Sequence, residues 1–158
     1  MKKSGFTMIE LIFVIVILGI LAAVALPKFI GVANQAHEAN LKGFTGTLNR
    51  TVGASLWSKS IGEGNGGSIA GYTRYNGNNF SQLADIPKEI AASTIDFAQC
   101  NAGEFNSSKH FAEANTTITG AEYNILCRDG NATNPPAFVL LNKDGTCIAG
   151  ACEEYNNQ

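Results

Sequence analysis

Residues 6–29 of this chain read FTMIELIFVIVILGILAAVALPKF. The first part of this stretch, 6–26, is almost entirely apolar, and about 20 such residues suffice for a helix to cross a bilayer. Lys2 and Lys3 precede it, and the positive-inside tendency keeps them in the cytoplasm. The stretch therefore predicts a membrane-spanning helix over 6–27, with the remainder of the chain beyond the membrane.

Glu10 is the one charged residue within this apolar run. It helps to decide between two interpretations of the segment. The small residues at 22–25 weakly resemble a signal-peptide cleavage site, so a signal peptide and an anchor compete on general grounds. A carboxylate one turn inside a membrane segment is costly without a partner, and such residues are candidates for function. Glu10 therefore favours a helix with a specific role.

A cut after Gly5 would supply a partner for this carboxylate. Phe6 would then carry a new α-amino group four residues from Glu10, on the same face of the helix. The pair could form within one chain or between stacked copies, where it would set their axial register. The simpler alternative is a glutamate that is protonated or held at the level of the lipid headgroups.

The overall composition excludes several classes of protein. The chain has 158 residues, a net charge of −2 and a pI near 5.6, so it lacks the basic surface of a nucleic-acid-binding protein. No motif of a hydrolase, a zinc protease or a nucleotide-binding loop occurs. We predict no enzymatic activity, no cofactor, no metal and no nucleic-acid partner, and we expect His37 to be a solvated side chain.

After the apolar run, the sequence has the periodicity of an amphipathic helix. Residues 28–60 form the predicted amphipathic half of the same helix, because apolar residues recur every three or four positions. The stripe comprises Leu41, Phe44, Leu48, Val52 and Leu56. We expect it to pack on a folded domain, with Asn49 among the polar residues that face away.

Residues 61–158 are predicted to form a globular β-sheet head. Gly- and Asn-rich loops open it, with a short strand near 72–75 and a short helix or turn around Pro87. Three later segments have the pattern of antiparallel strands, 121–128, 137–142 and 146–152. The Asp-Gly pair at 144–145 predicts a type I′ hairpin turn between the last two. The fold class is therefore α+β, a long N-terminal helix packed on a small antiparallel sheet.

All four cysteines lie in this polar region. An even number beyond a membrane segment favours disulfides, and no ligand cluster for zinc occurs. Four cysteines allow three pairings, and we favour Cys100–Cys127 and Cys147–Cys152. The second bond would fasten the last strand to the chain end, and the first would tie a loop to the sheet.

Two weaker patterns remain. Asn106, Asn115 and Asn131 each begin an N-x-Ser/Thr sequon with an acidic residue two positions earlier, as some bacterial oligosaccharyltransferases require. Chance in an Asn- and Thr-rich surface is the simpler interpretation. The acidic side chains of Asp129, Asp144 and 153–154 fit no calcium loop, and we expect them to be solvated.

The segment KKSGFTMIEL, residues 2–11, and the apolar helix after it resemble the leader and N-terminal helix of type IV pilins and type II secretion pseudopilins. The resemblance covers about residues 1–32. It implies that a prepilin peptidase removes a leader, 1–5, by cutting after Gly5 and then N-methylates Phe6. Glu10 matches the buried glutamate of that family, and Met8 stands where leucine is commoner.

The resemblance also implies a function and a location. The chain would be held in the inner membrane, with a periplasmic head, and then assembled by an inner-membrane platform into a helical homo-oligomeric filament used in adhesion or motility. The segment between Gly19 and Pro27 would unwind in that filament. Pilins of the mannose-sensitive haemagglutinin type look most similar. A type II secretion pseudopilin and a membrane-tethered enzyme or binding protein are the alternatives.

Overall fold

The long helix extends over most of the first 62 residues. The computed structural model describes residues 5–158, apart from the side chain of Ile30, so that most of the predicted leader (1–4) lies outside the described residues. Helix α1 (Met8–Thr47) continues through one π-helical turn (Leu48–Val52) into helix α2 (Gly53–Gly62). The prediction of one helix up to residue 60 is therefore confirmed to within two residues.

The chain divides into two units inside α1. The described part of the first unit, which we call the N-terminal segment, is residues 5–36, and the second, the head unit, is residues 37–158. The head unit begins inside the predicted amphipathic half. The predicted boundaries at 27 and 60 remain predictions.

The amphipathic stripe of the helix forms part of the core of the head unit. All five of its predicted members are at most 5% exposed: Leu41, Phe44, Leu48, Val52 and Leu56. Phe44 meets the ring of Phe80 edge-on, with 5.7 Å between the ring centroids. Burial of such side chains contributes about 1.5–3 kcal/mol each, so the stripe fastens this half of the helix to the head.

Asn49 departs from the prediction that it faces away from the head. Its side chain is half-buried and donates to the backbone carbonyl of Phe138 at 2.9 Å, while its Oδ1 accepts from the Phe138 backbone N–H at 2.9 Å. The reason is that Phe138 lies just beyond the last paired residue of the neighbouring strand. A buried backbone N–H needs a partner, and Asn49 supplies one for Phe138, whose carbonyl also accepts from the Ala151 N–H at 3.1 Å.

The head unit contains one antiparallel sheet in the described part of the chain, with strands in the order β1-β2-β3-β4. The strands are β1 (Ala112–Glu113), β2 (Tyr123–Arg128), β3 (Ala137–Asn142) and β4 (Cys147–Gly150). The predicted meander is thus confirmed, and the two-residue β1 extends it. Alternate residues of β3 are buried on opposite faces, with Phe138 and Leu140 in the core that contains the helix stripe.

The predicted type I′ turn between β3 and β4 is wrong. Asn142 accepts a hydrogen bond from the N–H of Gly145 at 3.0 Å, and only Gly145 in this turn has a positive φ, +77°. The loop therefore has three residues, a turn followed by one left-handed glycine, which is the usual solution for that length. A type I′ turn would need Asp144 in the left-handed region as well.

The predicted strand near 72–75 is also wrong. Thr73–Tyr75 is a short 3-10 helix, held by bonds such as that from the Tyr75 N–H to the Tyr72 carbonyl at 3.1 Å. The side chain of Tyr72, whose carbonyl accepts this bond, is buried. A turn does occur at Pro87, as expected. Two short helices complete the head unit, α3 (Thr116–Thr119) and α4 (Cys152–Asn156).

Candidate assembly segment

The N-terminal segment exposes almost every apolar side chain it carries. Phe6 is 88% exposed, and exposure stays at 40% or more at each large apolar residue described up to Val32. By length and composition the helix that starts in this segment could cross a membrane, with a mean hydropathy of 3.0 in its most apolar window. A surface this apolar and continuous marks a site of contact with lipid or protein.

Glu10 accepts two hydrogen bonds from Thr7 of its own chain. The backbone N–H of Thr7 donates to Glu10 Oε2 at 2.9 Å, and the Thr7 hydroxyl donates to the same oxygen at 2.8 Å. The N–H of Glu10 in turn lies 3.3 Å from the Thr7 hydroxyl oxygen. This reciprocal pattern is a capping box, which satisfies the free N–H groups at the start of a helix.

The bonds from Thr7 to Glu10 were not predicted from the sequence. The spacing T-x-x-E at residues 7–10 is the sequence signature of a capping box, and it would have identified the pair. The structure thus shows a local partner for the carboxylate. The predicted partner, an amino group on Phe6 of a neighbouring chain, remains a prediction.

The predicted cleavage bond lies just ahead of the helix. Gly5 and Phe6 are exposed and non-helical, and the first helical bond runs from the Leu11 N–H to the Thr7 carbonyl at 3.2 Å. The peptide bond between Gly5 and Phe6 is therefore accessible in the single chain. Cleavage after Gly5 and methylation of Phe6 remain predictions.

Gly19 and Pro27 both lie inside α1. The segment between them is helical throughout in this structure. A Cβ atom built on Gly19 would meet nothing within 4 Å, so the single chain shows no packing reason for this glycine. Glycine and proline both weaken a helix, and unwinding of the segment in an assembly remains a prediction.

His37 is held by a buried carboxylate, and the expectation that it is solvated is wrong. Its Nδ1 lies 2.8 Å from Glu89 Oε1, and Asn40 Nδ2 donates to the same oxygen at 2.9 Å. Glu89 is only 1% exposed. Burial alone would raise the pKa of Glu89, but the hydrogen bonds from Asn40 and His37 outweigh it and hold the pKa below its ordinary value.

Both favoured disulfides are present. Cys100 is bonded to Cys127 in β2, and Cys147 at the start of β4 is bonded to Cys152 at the start of α4. The first bond joins a loop to the sheet, and the second fastens the last strand to the chain end.

The acidic residues considered as a calcium site do not converge. Within residues 5–158 there is no group of three or more His, Cys, Asp or Glu side chains placed to hold a metal ion. Asp129 is buried, in contrast to the prediction, and accepts from the Ser68 hydroxyl at 2.5 Å and the Ile69 N–H at 2.7 Å. It therefore serves to fix a loop to the end of β2.

Comparison with known proteins gives matches to a family model and to one relative. Residues 1–26 match the family model described as the prokaryotic N-terminal methylation motif. The chain is also 54% identical over 41 residues to the type IV narrow pilus major component PilA5 of Thermus thermophilus.

This match covers 26% of the chain, which spans only about a third (35%) of the length of that relative. No solved structure matched the chain. The methylation motif and the pilin relative together show that the N-terminal part of this chain is similar to that of a type IV pilin.

Proposed function

We propose that this protein is a structural subunit of a type IV pilus-like extracellular filament. The observation that carries the proposal is the N-terminal segment, which is continuously apolar, exposed in the single chain and interrupted by one carboxylate at Glu10. Such a surface needs a bilayer or other copies of itself around it. A repeated contact that does not close would build an open helical filament.

Processing precedes assembly in this proposal. Prepilin peptidase cuts the exposed bond between Gly5 and Phe6 and methylates the new amino group. Until the subunit is assembled the helix stays in the inner membrane, with the head unit in the periplasm. The bonds from Thr7 then satisfy Glu10 locally, which lowers the cost of placing a carboxylate in lipid.

Assembly would exchange this local partner for one on another subunit. The apolar helices leave the bilayer through the inner-membrane platform and bury one another along the filament core. Glu10 then pairs with the amino group of Phe6 on an adjacent subunit and fixes the axial register. The head units form the outer surface, where adhesion or motility partners bind.

Replacing Glu10 in native cells tests the proposal. Glu10→Leu is expected to abolish filaments in the sheared surface fraction, seen by electron microscopy, while the chain remains stable and processed. Glu38→Gln is the matched control, because this glutamate lies on the same helix and pairs with Lys42 on the surface at 2.6 Å. The control should leave filaments at their normal number.

The outcomes separate this function from the alternatives. Normal filaments with Glu10→Leu would contradict the proposed role of the carboxylate. A processed wild-type chain confined to the cell envelope would favour a type II secretion pseudopilin. A wild-type chain that is never processed would favour a tethered binding protein or enzyme.

A further inference from the structure

We propose that Asn106 is the N-glycan acceptor of this protein, for an oligosaccharyltransferase that recognises an acidic residue two positions before the asparagine. The proposal requires only that the head unit lies outside the cytoplasm, and so it holds for a pilus and a pseudopilus alike. It rests on the different environments that the structure gives to the sequons of the chain.

The segment around Asn106 is a surface loop without regular structure. Asn106 is partly exposed, and its neighbours Ser107 and Ser108 are exposed. Its Oδ1 accepts from the Ser108 N–H at 2.9 Å, which leaves Nδ2 without a hydrogen bond among the described residues. The loop is anchored at the preceding residue, Phe105, whose backbone forms two hydrogen bonds with the side chain of Gln158.

Glu104 is the acidic residue two positions before Asn106, and it is free to be recognised. Its side chain is exposed and makes no hydrogen bond or ion pair with the described residues; only its backbone carbonyl is bonded, to Asn101 Nδ2 at 3.0 Å. The fold therefore gives this carboxylate no structural task. An enzyme could bind it with a charge-assisted hydrogen bond.

The sequon at Asn115 is held inside regular structure. Glu113 belongs to β1 and binds His110 Nδ1 at 3.0 Å, and Asn115 caps helix α3 through the Thr117 N–H at 3.2 Å. The Asn115 backbone N–H also donates to the Glu89 carbonyl at 2.7 Å. An enzyme would have to break the end of the sheet and the helix to surround this amide.

The sequon at Asn131 is blocked at its acidic residue. Asp129 is 7% exposed, and its two oxygens accept from Ser68, Ile69 and Gly130. The Asn131 carbonyl accepts from Trp57 Nε1 at 2.8 Å. In the folded chain this carboxylate is therefore unavailable to an enzyme.

Two further sequons lack the acidic residue and serve as internal controls. Asn79 is exposed and begins Asn-Phe-Ser, but Gly77 stands two positions earlier. Asn49 begins Asn-Arg-Thr, with Thr47 at that position, and its side chain is bonded to Phe138. Among the sequons in the described residues, only that of Asn106 combines an exposed acidic side chain that makes no bond with an asparagine that lies outside regular structure.

The chemistry is a substitution at a sugar carbon. The Asn106 amide nitrogen attacks C1 of the sugar in a polyprenyl-diphosphate-linked oligosaccharide. The N–C1 bond forms as the C1–O bond to phosphate breaks. The electron pair of the broken C1–O bond leaves with the lipid diphosphate. One amide proton passes to a base of the enzyme, and no oxidant or reductant takes part.

The test uses the full-length chain, purified in detergent with both disulfides intact. It is incubated with a bacterial oligosaccharyltransferase that requires the acidic residue and with a polyprenyl-diphosphate oligosaccharide, and the occupancy of every sequon is measured by glycopeptide mass spectrometry. Asn106 is expected to be modified first. Asn79 lacks the acidic residue, and the acidic residues before Asn115 and Asn131 are already bonded. These three asparagines should therefore be modified at least about tenfold more slowly, as loss of a charged hydrogen bond to the enzyme predicts.

Glu104→Gln should slow modification of Asn106 at least about tenfold, whereas the matched control Glu122→Gln, at another exposed acid, should not change it. In parallel, peptides from the protein of native cells should carry a glycan on Asn106. A bare Asn106 in either sample, faster filling of Asn115 or Asn131, or an unchanged rate with Glu104→Gln would overturn the proposal.

Discussion

Two leucines on the same helix show how differently its two parts behave. Leu18 is 57% exposed, and Leu48 is 0% exposed and surrounded by the core of the head unit. The N-terminal segment exposes its apolar side chains, whereas the head unit buries its own. One helix can therefore serve folding in one part and assembly in the other, and mutations should separate the two tasks.

The largest effect is expected from the disulfide between Cys100 and Cys127, since the head unit alone contains such bonds. Replacing both cysteines by serine should cost about 3.5 kcal/mol, because the bond closes 27 residues of chain. The same change at Cys147 and Cys152, 5 residues apart, should cost about 2 kcal/mol.

Denaturant unfolding of the full-length chain in detergent measures both changes. The single tryptophan, Trp57, lies in the head unit and reports its unfolding by fluorescence. Equal losses for the two pairs would contradict the argument from loop length.

The comparison between the leucines is the next test. Leu48→Ala should lower the free energy of unfolding of the head unit by about 3 kcal/mol, the usual cost of a cavity in a core. Leu18→Ala should change it by less than about 0.5 kcal/mol, because this residue contributes nothing to that core. Both are measured by the same fluorescence assay, and a large effect of Leu18→Ala would show that the two units do not fold separately.

A smaller effect is expected at Glu89, and it depends on pH. Its pKa is lowered in the folded chain, so the folded state binds a proton less readily than the unfolded state. The stabilisation is therefore complete above the ordinary glutamate pKa of about 4.3 and is lost as pH falls below it.

Glu89→Gln should cost about 2 kcal/mol at pH 7, since His37 and Asn40 lose a charged partner. The variant should also lose less stability than the wild type between about pH 5 and pH 3. Unfolding curves at these pH values measure the difference. Parallel pH curves for the two proteins would show that this carboxylate is not the group responsible.

The smallest effect belongs to the N-terminal segment. Thr7→Val removes the hydroxyl of the capping box, so the first turn of α1 should open more often and its amides should exchange hydrogen several-fold faster in detergent. Thr7→Ser keeps the hydroxyl and should behave as the wild type does. Unchanged exchange in Thr7→Val would mean that the capping box does not hold this turn.

The sequence predicted the parts of the fold that depend on periodicity. The stripe from Leu41 to Leu56 was found buried as expected, because its spacing of three and four residues leaves one apolar face. The three later strands and the α+β class were also confirmed. Such patterns survive folding because burial of the apolar face dominates the energy.

The sequence did not predict the contacts that single polar side chains make with partners distant in the chain. Asn49, His37 and Asp129 were all expected in solvent, yet each bonds a group far away in the chain. No local pattern predicts that a strand N–H such as that of Phe138 will bond a distant side chain, or that a carboxylate on a loop will be buried. Thr7 differs from these, since its partner is three residues away and the capping-box signature was readable.

One measurement can test both the proposed processing of the N-terminal segment and its proposed assembly into a filament. Intact-mass spectrometry is applied to sheared surface filaments and to the remaining envelope of native cells. We expect abundant protein in the sheared fraction that begins at N-methylated Phe6 and lacks four hydrogens because of the two disulfides. A chain that still begins at Met1 in both fractions would contradict it.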